Sequence, residues 1–322
     1  MDVVETAAGC RALLDAARAT GRTVGLVPTM GALHQGHISL ITRAAKECDV
    51  VAVSIFVNPL QFGDPEDIAK YPRTLERDLA DCAEAGAHVV FAPTIPEMYP
   101  SWPDPPATTV AVGGVSDKWE GASRPGHFDG VATVVAKLFA ITGPCRAYFG
   151  LKDFQQLAVV RRMASDLCIP VDIVGCPTVR ESDGLALSSR NVRLSDRERI
   201  AARTLSAALA AGRATVAAGE RDGAAVHVAM RTVADREPLV DLDYAVAVDA
   251  ATLDEVTTIA DPATVRLLIA ATVGPVRLID NSAATPDNHD TEHSSATSVT
   301  SATSNSTDNV NVNVPSSLER IG

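Results

Sequence analysis

The chain has 322 residues, of which 46% are hydrophobic and 21% charged, and its formal net charge is −12. That length exceeds what one compact core usually holds, so two domains are expected. The acidic balance argues against nucleic-acid binding, and the longest apolar stretch, near residues 50–57, is too short to span a bilayer. No basic segment of a signal peptide opens the chain, so a cytoplasmic location is expected.

Strands and helices alternate along the first half of the chain. Such alternation predicts an α/β fold, a Rossmann-like doubly wound parallel sheet with helices on both faces. Ligands of these sheets bind outside the carboxyl ends of the strands. The predicted strands are 23–29, 50–57, 88–92, 146–150 and 171–179, and the predicted helices are 5–19, 37–48, 74–85, 129–142 and 154–167.

The pattern changes after about residue 184. A long helix from Ser195, its N-cap, to about residue 218 is followed by a helix over 223–235. Short strands at 241–249, 265–272 and 275–279 complete a smaller α+β unit, a lid or second domain. The predicted domains are 1–182 and 183–280, with a disordered tail over 281–322.

Polar composition is the reason for predicting disorder in that tail, because it contains almost no large apolar side chains. His289, Asp290, Glu292 and His293 resemble a metal-ligand set but are better explained as solvated side chains. Six scattered cysteines form no C-x-x-C pair, so free buried thiols are expected rather than a zinc site. They are Cys10, Cys48, Cys82, Cys145, Cys168 and Cys176.

His34-Gln35-Gly36-His37 lies where the first predicted strand gives way to a helix. A helix N-terminus carries unpaired N–H groups and partial positive charge, which favour phosphate. Two imidazoles three residues apart add hydrogen-bond donors on one face, and Gly36 lets backbone approach a ligand closely. The alternative is that two polar side chains merely solvate a helix start.

Two further segments have chemistry that suits phosphate. In YFGLKDFQQ (148–156), a strand ends at Gly150, and Lys152 offers a point charge beside Asp153 and two glutamines. In DGLALSSRN (183–191), two hydroxyls precede Arg190, which can bind phosphate oxygens bidentately. Read separately, each segment could be an exposed polar helix start or a surface loop.

The remaining motifs fit a small organic acid. SIFVNPLQF (54–62) ends an apolar strand in Asn58 and Gln61, polar groups at the edge of an apolar pocket. EGASRPGHFDGV (120–131) places Arg124 and His127 in a Gly/Pro-rich loop. For Arg124 and His127, loop packing or a dimer contact is as good an explanation as substrate contact.

These blocks, in this order, resemble the pantothenate synthetase (pantoate–β-alanine ligase) family over roughly residues 1–280. HQGH is similar to the HIGH signature of the wider nucleotidyltransferase superfamily, and SSR to its second phosphate loop. The resemblance implies that ATP, with Mg²⁺, and pantoate form an enzyme-bound pantoyl adenylate and pyrophosphate. The amine of β-alanine then attacks the acyl carbon to give pantothenate and AMP, in an enzyme that is usually a homodimer.

Residue roles also follow from the resemblance. The catalytic set would be His34, His37 and Lys152 on the phosphates, with Ser188, Ser189 and Arg190 holding the triphosphate. Pantoate would bind Met30, Asn58, Gln61 and Gln156. The ATP site would comprise Met30, His34, Gly36, His37, Phe149, Gly150, Lys152, Asp153, Val179, Leu187, Ser188, Ser189 and Arg190.

Two departures from the family pattern concern single residues. An acidic pair often follows YPRT, but here Arg77 precedes Asp78, which stays a candidate for the outer shell of Mg²⁺; no direct metal ligand is assigned. Leu187 stands where the family often has another large apolar residue.

Three alternative functions are considered: a nucleotidyltransferase acting on a phosphorylated cofactor precursor, a nucleotide-binding regulator without turnover, and an RNA-binding synthetase relative. The first would not need the Gln-bearing segments, and the last conflicts with the acidic charge.

Overall fold

The computed structural model describes residues 1–63, 68–69 and 71–285. Its larger sheet has six strands in the order β1-β4-β3-β2-β5-β6, all paired in parallel. The predicted doubly wound sheet is therefore confirmed, and β1 is an added edge strand. The strands are β1 Asp2–Val4, β2 Val24–Thr29, β3 Val50–Ile55, β4 Val89–Phe91, β5 Cys145–Gly150 and β6 Val171–Cys176.

All five helices predicted in this half are present. Two one-turn helices, α4 and α5, were not predicted because four residues carry no helical period. The helices are α1 Ala7–Ala19, α2 Gln35–Glu47, α3 Leu75–Glu84, α4 Ile95–Met98, α5 Glu120–Ser123, α6 His127–Thr142 and α7 Phe154–Asp166. Helix α6 forms despite its β-branched residues because it is buried along most of its length, and packing overrides propensity.

Alternate residues of the central strands pack on opposite faces of the sheet. Leu26 and Ala52 belong to the core under α1, α6 and α7, whereas Val27 and Val53 belong to the core under α2 and α3. Both faces are thus covered, which explains why these strands are nearly continuous apolar runs. The order reverses between β2 and β5, so a crevice is expected outside Thr29 and Gly150.

The C-terminal part contains a three-stranded antiparallel sheet, β7-β8-β9, packed with three helices. Ser195 caps the first helix, as predicted, and its capping box includes Glu198. The predicted long helix is in fact two, because the chain makes a tighter i→i+3 turn from Arg203 to Ile200. The elements are α8 Asp196–Ala202, α9 Thr204–Ala217, α10 Gly223–Ala234, β7 Val240–Asp249, β8 Val265–Val273 and β9 Val276–Ala283.

Strand β9 extends beyond the predicted end at residue 279. Asp280, Asn281 and Ser282 are buried in it, although their polarity is the reason for predicting that the tail starts at residue 281. The rest of the predicted tail, including the His289–His293 cluster, lies outside the described residues.

Four of the six cysteines are buried as expected, whereas Cys145 is partly exposed and Cys168 is exposed; all six are free. Within the described ranges, no group of three His, Cys, Asp or Glu side chains could hold a metal ion. A search of the same ranges found no helix with the length and apolar character needed to cross a membrane.

Candidate active site

A cavity of about 630 Å³ opens at the carboxyl ends of β2 and β5. It brings together all the sequence-predicted site residues except Asn58 and Asp78, and it includes Arg124 and His127. The predicted residues that line it are Met30, His34, Gly36, His37, Gln61, Phe149, Gly150, Lys152, Asp153, Gln156, Val179, Leu187, Ser188, Ser189 and Arg190.

The two histidines of HQGH cap helix α2 and stack on each other. His34 Nδ1 accepts from the Gly36 N–H at 3.1 Å, and His37 Nδ1 accepts from the His34 N–H at 3.4 Å. The ring centroids lie 4.1 Å apart. Because each Nδ1 accepts a hydrogen bond, each neutral ring carries its proton on Nε2.

Both imidazoles are held neutral. Burial, reinforced by the charge of Lys152, lowers the pKa of His34. Burial and the neighbouring His34 lower the pKa of His37 to about 3. At neutral pH the pair therefore offers two uncharged Nε2–H donors at the positive end of a helix, which suits phosphate oxygens.

Gly36 has a packing role that its place in the motif does not reveal. A Cβ on this residue would lie 2.8 Å from His34 Cε1. The missing side chain therefore leaves room for the His34 ring, besides keeping the backbone open to a ligand.

Asp78 lies behind the histidine loop and outside the cavity lining. Its carboxylate, 1% exposed, accepts from the N–H groups of Ala32 at 3.0 Å and Leu33 at 2.9 Å. Thr74 Oγ1 donates to both carboxylate oxygens at 3.2 Å. Both Gly31 and Ala32 have positive φ values, of 80° and 50°, which glycine adopts readily but alanine does not. Asp78 therefore stabilises a turn that is strained at Ala32.

Lys152 and Asp153 lie in the turn between β5 and α7. Lys152 Nζ is 3.4 Å from Asp153 Oδ1. Burial alone would raise the pKa of Asp153, but the charges of Lys152 and Arg190 outweigh it and lower that pKa. A lysine and an ionised carboxylate thus face the cavity together.

The segment that follows β6 completes the opposite wall. The Leu187 N–H donates to the Val179 carbonyl at 3.0 Å, which brings these two lining residues together. Ser188 Oγ accepts from the Arg190 N–H at 3.3 Å and starts a 3₁₀ turn over Ser189–Arg193. Hydroxyl and guanidinium donors consequently follow one another along this wall.

Gln61 lies at the other end of the cavity, and Asn58 supports it from behind. Asn58 is 1% exposed, and its Nδ2 donates to Gln61 Oε1 at 3.1 Å while Tyr99 Oη donates to its Oδ1 at 2.8 Å. Gln61 Nε2 is 3.0 Å from Met30 Sδ. Asn58, predicted near pantoate, therefore does not line the cavity itself but holds the amide of Gln61, which does.

Arg124 and His127 are linked to the same turn. His127 Nδ1 donates to the Gln61 carbonyl at 2.9 Å, which leaves Nε2 to accept from Arg124 Nη1 at 3.1 Å. Burial and the charge of Arg124 lower the pKa of His127 to about 4. A neutral His127 thus orients a guanidinium that lines the cavity and suits a carboxylate.

Several lining residues were not singled out from the sequence. Tyr71 and Pro72 belong to the YPRT block, so their position in that block was an available signal. Asp280 and Asn281 lie on β9, where the tail-like composition concealed them. Of the two glutamines predicted beside Lys152, both line the cavity, and Gln155 also braces residues 115–120 by donating to the carbonyls of Val115 and Lys118.

Positive charge dominates the cavity although the chain is acidic overall. Lys152, Arg124, Arg190 and Arg193 line it. Its carboxylates are paired with cations: Glu120 with Arg277 and, at 3.6 Å, with Arg124; Asp153 with Lys152; and Asp280 with Arg180. A polyanion would be attracted here, and this donor set fits a Mg²⁺ ion carried on substrate phosphates better than one held by the protein alone.

A family model described as Pantoate-beta-alanine ligase matches residues 2–283 of this chain. Pantothenate synthetase of Rubrobacter xylanophilus is 54% identical over 271 residues, which cover 83% of this chain and 92% of that protein. The Moorella thermoacetica enzyme of the same name is 50% identical over 281 residues, 87% of this chain and 98% of its own.

Solved structures are similar over nearly the same range. The crystal structure of pantothenate synthetase from Thermus thermophilus has a TM-score of 0.82 and 48% identity, covering 89% of this chain and all (100%) of that one. Pantoate-beta-alanine ligase from Francisella tularensis, complexed with beta-gamma ATP and beta-alanine, has a TM-score of 0.70 and 32% identity, over 88% and 98%.

Proposed function

The chain belongs to the pantoate–β-alanine ligase family, which condenses pantoate with β-alanine at the expense of ATP, and we propose that it does so through an enzyme-bound pantoyl adenylate. The pantoate carboxylate attacks the α-phosphorus of ATP, and pyrophosphate leaves. The amine of β-alanine then attacks the acyl carbon, and AMP leaves. One observation carries this proposal: side chains suited to phosphate (His34, His37, Lys152 and the 188–190 segment) and side chains suited to a small acid (Gln61, Gln156 and Arg124) line one cavity.

The phosphates of ATP bind between helix α2 and the 188–190 wall. His34 and His37 donate from Nε2, and Lys152 neutralises charge as it develops on the α-phosphate. Ser188, Ser189 and Arg190 hold the β- and γ-phosphates. Because the nucleophile is the substrate's own carboxylate, catalysis comes from positioning and electrostatic stabilisation.

The nucleoside of ATP lies along the β5 edge. Gly36 and Gly150 leave room for it, Val179 and Leu187 provide apolar contact, and Asp153 accepts from ribose hydroxyls. Phe149 and Met30 complete the lining.

Pantoate binds at the Gln61 end. Gln61 and Gln156 hydrogen-bond its hydroxyl and carboxylate oxygens beside Met30, and Asn58 holds the Gln61 amide in place. Arg124 offsets the repulsion between the carboxylate and the triphosphate, which is the main obstacle to the first step.

Mg²⁺ enters as the partner of ATP. In the described part of the chain the carboxylates near the phosphates are few and paired, and Mg²⁺ commonly uses one or two carboxylates plus substrate phosphates. Held mainly by phosphate oxygens, such an ion would supply positive charge at the phosphates, and no side chain is assigned as its direct ligand.

Further features of the protein are proposed from the family. We infer a homodimer located in the cytoplasm, with an N-terminal Rossmann-like domain ending near residue 182 and a smaller C-terminal domain that closes over ATP. Light scattering on a size-exclusion column tests the dimer, for which a monomer mass of 33.7 kDa sets the reference.

Product analysis tests the reaction. The enzyme is supplied with ATP, Mg²⁺ and pantoate, with and without β-alanine, while pyrophosphate, AMP and ADP are followed separately. Steady release of AMP and pyrophosphate that requires both pantoate and β-alanine supports the adenylate route. Release of ADP would contradict it and the roles given to His34, His37 and Lys152.

A further inference from the structure

The turn that carries Lys152 is held from outside the parallel sheet. Asn281 on β9 donates from Nδ2 to the carbonyls of Leu151, at 2.9 Å, and Lys152, at 2.7 Å. These two carbonyls belong to the 3₁₀ turn Leu151–Asp153, which joins β5 to α7. One side-chain amide from the antiparallel sheet thus hydrogen-bonds the backbone of the turn that carries Lys152.

The orientation of this amide is fixed by a second contact. Asn281 is 4% exposed, and its Oδ1 accepts from Arg266 Nε at 2.8 Å. The Arg266 guanidinium in turn lies over the Phe154 ring, 4.5 Å from its centroid, at the start of α7. Because Oδ1 faces a donor, the NH₂ group must face the two carbonyls, and a flipped amide would place like groups together.

The neighbouring residue on β9 anchors the other wall of the site. Asp280 binds Arg180 through two hydrogen bonds, of 2.7 Å and 3.0 Å, and Arg180 begins the 180–187 loop that leads to Ser188. The Asn281 N–H also donates to Asp280 Oδ1 at 2.8 Å, which couples the two anchors.

We propose that Asn281 is a positioning residue for Lys152, and that β9, through Asn281 and Asp280, sets the spacing between the two phosphate-binding walls. This inference rests on the proposed adenylate chemistry. Asn281 does not need to touch substrate; it acts through the backbone of residues 151 and 152. A displacement of about 1 Å in a charged group at a reacting centre can cost about 100-fold in rate.

The test compares Asn281→Ala with the matched control Ser282→Ala on the same strand. Ser282 is equally buried, but its Oγ has no hydrogen-bond partner among the residues that the structure describes. Adenylate formation is measured in single turnovers with enzyme in excess over ATP. We expect Asn281→Ala to lower this rate by about 10- to 100-fold, with little change in the KM for pantoate, and Ser282→Ala to match the parent chain.

A double-mutant cycle identifies the route of the effect. If Asn281 acts through Lys152, adding Asn281→Ala to Lys152→Ala should cost less than about 2-fold, because coupled residues are not additive. An equal loss in both backgrounds, or no loss in the parent, would overturn the proposal. A parent chain that forms no adenylate would instead refute the proposed function.

Asn281→Asp guards against a folding defect in the alanine variant. It keeps the side-chain volume and the acceptor for Arg266 but turns an oxygen toward the two carbonyls. We expect the same loss of adenylate formation. The buried carboxylate facing two carbonyls should also lower the thermal unfolding midpoint below that of Ser282→Ala, so the rates are compared at a temperature at which the variant is folded. Parent-like activity of a folded Asn281→Asp would contradict the proposal.

Discussion

Lys152 combines a place in the cavity with a side chain that can follow developing charge. We expect Lys152→Ala to lower the rate of adenylate formation by orders of magnitude, because no neighbouring side chain projects from the same turn with a positive charge. Pantoate-dependent exchange between pyrophosphate and ATP measures this step. Lys46→Ala, a change of an exposed lysine in α2, is the control, and the unfolding midpoint should be unaltered in both. Near-normal turnover of Lys152→Ala would remove its assigned role.

The neutral histidines give the protein a pH-dependent stability. The pKa is about 3 for His37 and about 4 for His127, both below the ordinary value, so the unfolded chain binds more protons than the folded one between those values and pH 6.5. The free energy of unfolding should therefore be unaffected by these groups above pH 6.5 and decrease as the pH falls below it. The slope would reach about 1.4 kcal/mol per pH unit for each histidine.

Urea unfolding at pH 7.5, 6.0 and 5.0 checks this slope before most carboxylates titrate. His37→Gln should make the slope shallower by about one proton's contribution. If the parent chain is equally stable at all three pH values, the histidines bind protons over the same pH range in the folded and unfolded chains, and the prediction is wrong.

The sequence motifs contain most of the residues that line the cavity, because those motifs combine charge with turn residues. They could not identify Asn281, since an Asn-Ser-Ala run is typical of a linker unless its burial is known. Nor could they separate Asn58 and Asp78 from ligand contacts. A short polar side chain has the same sequence signal whether it faces the cavity or, as here, a backbone or amide partner behind it.

Close contact between helix α6 and the turn Pro59–Gln61 defines the Gln61 end of the cavity. A Cβ on Gly130 would lie 2.3 Å from the Leu60 carbonyl oxygen and 2.7 Å from the Gln61 nitrogen. Gly130→Ala should therefore push the turn away, raise the KM for pantoate and cost about 1–3 kcal/mol of stability. Steady-state kinetics and thermal unfolding measure both effects.

Gly113→Ala provides the comparison for Gly130→Ala. A Cβ added to Gly113 would have no described atom within 4 Å, so this substitution should leave both quantities near the parent values. A Gly130→Ala variant with an unchanged KM for pantoate would mean that the turn does not position Gln61.

Element boundaries followed the sequence closely where apolar periodicity was strong, as in β2, β3 and α7. The single helix expected over 195–218 is broken at Arg203, and no Gly or Pro marks that break. The sequence is Ala-rich on both sides of Arg203, including Ala201 and Ala202, and so favours helix throughout. Packing against the antiparallel sheet therefore decides where the single predicted helix divides into two. Local pattern alone lacks that information.

At the scale of the whole molecule, the family match ends at residue 283 and β9 ends at Ala283. We expect a chain truncated after residue 285 to keep its kcat and unfolding midpoint, because the contacts described for the site lie before that point. Activity assays and calorimetry on the full and shortened chains measure this. A truncation to residue 279 is the informative comparison, since it removes Asp280 and Asn281 and should abolish adenylate formation.

Because of strand β9, the N-terminal and C-terminal parts of the enzyme should not be separable or exchangeable without loss of activity. A fragment ending near residue 182 would retain the six-stranded sheet, the histidine pair and Lys152, yet it would lack the amide that grips the lysine turn. Transplanting the C-terminal unit from a distant relative would accordingly require a matching Asn on the incoming strand. In chimeras between family members, the rate of adenylate formation should thus depend on whether the strand of one parent makes this contact with the lysine turn of the other. It should not be set by either parental piece alone.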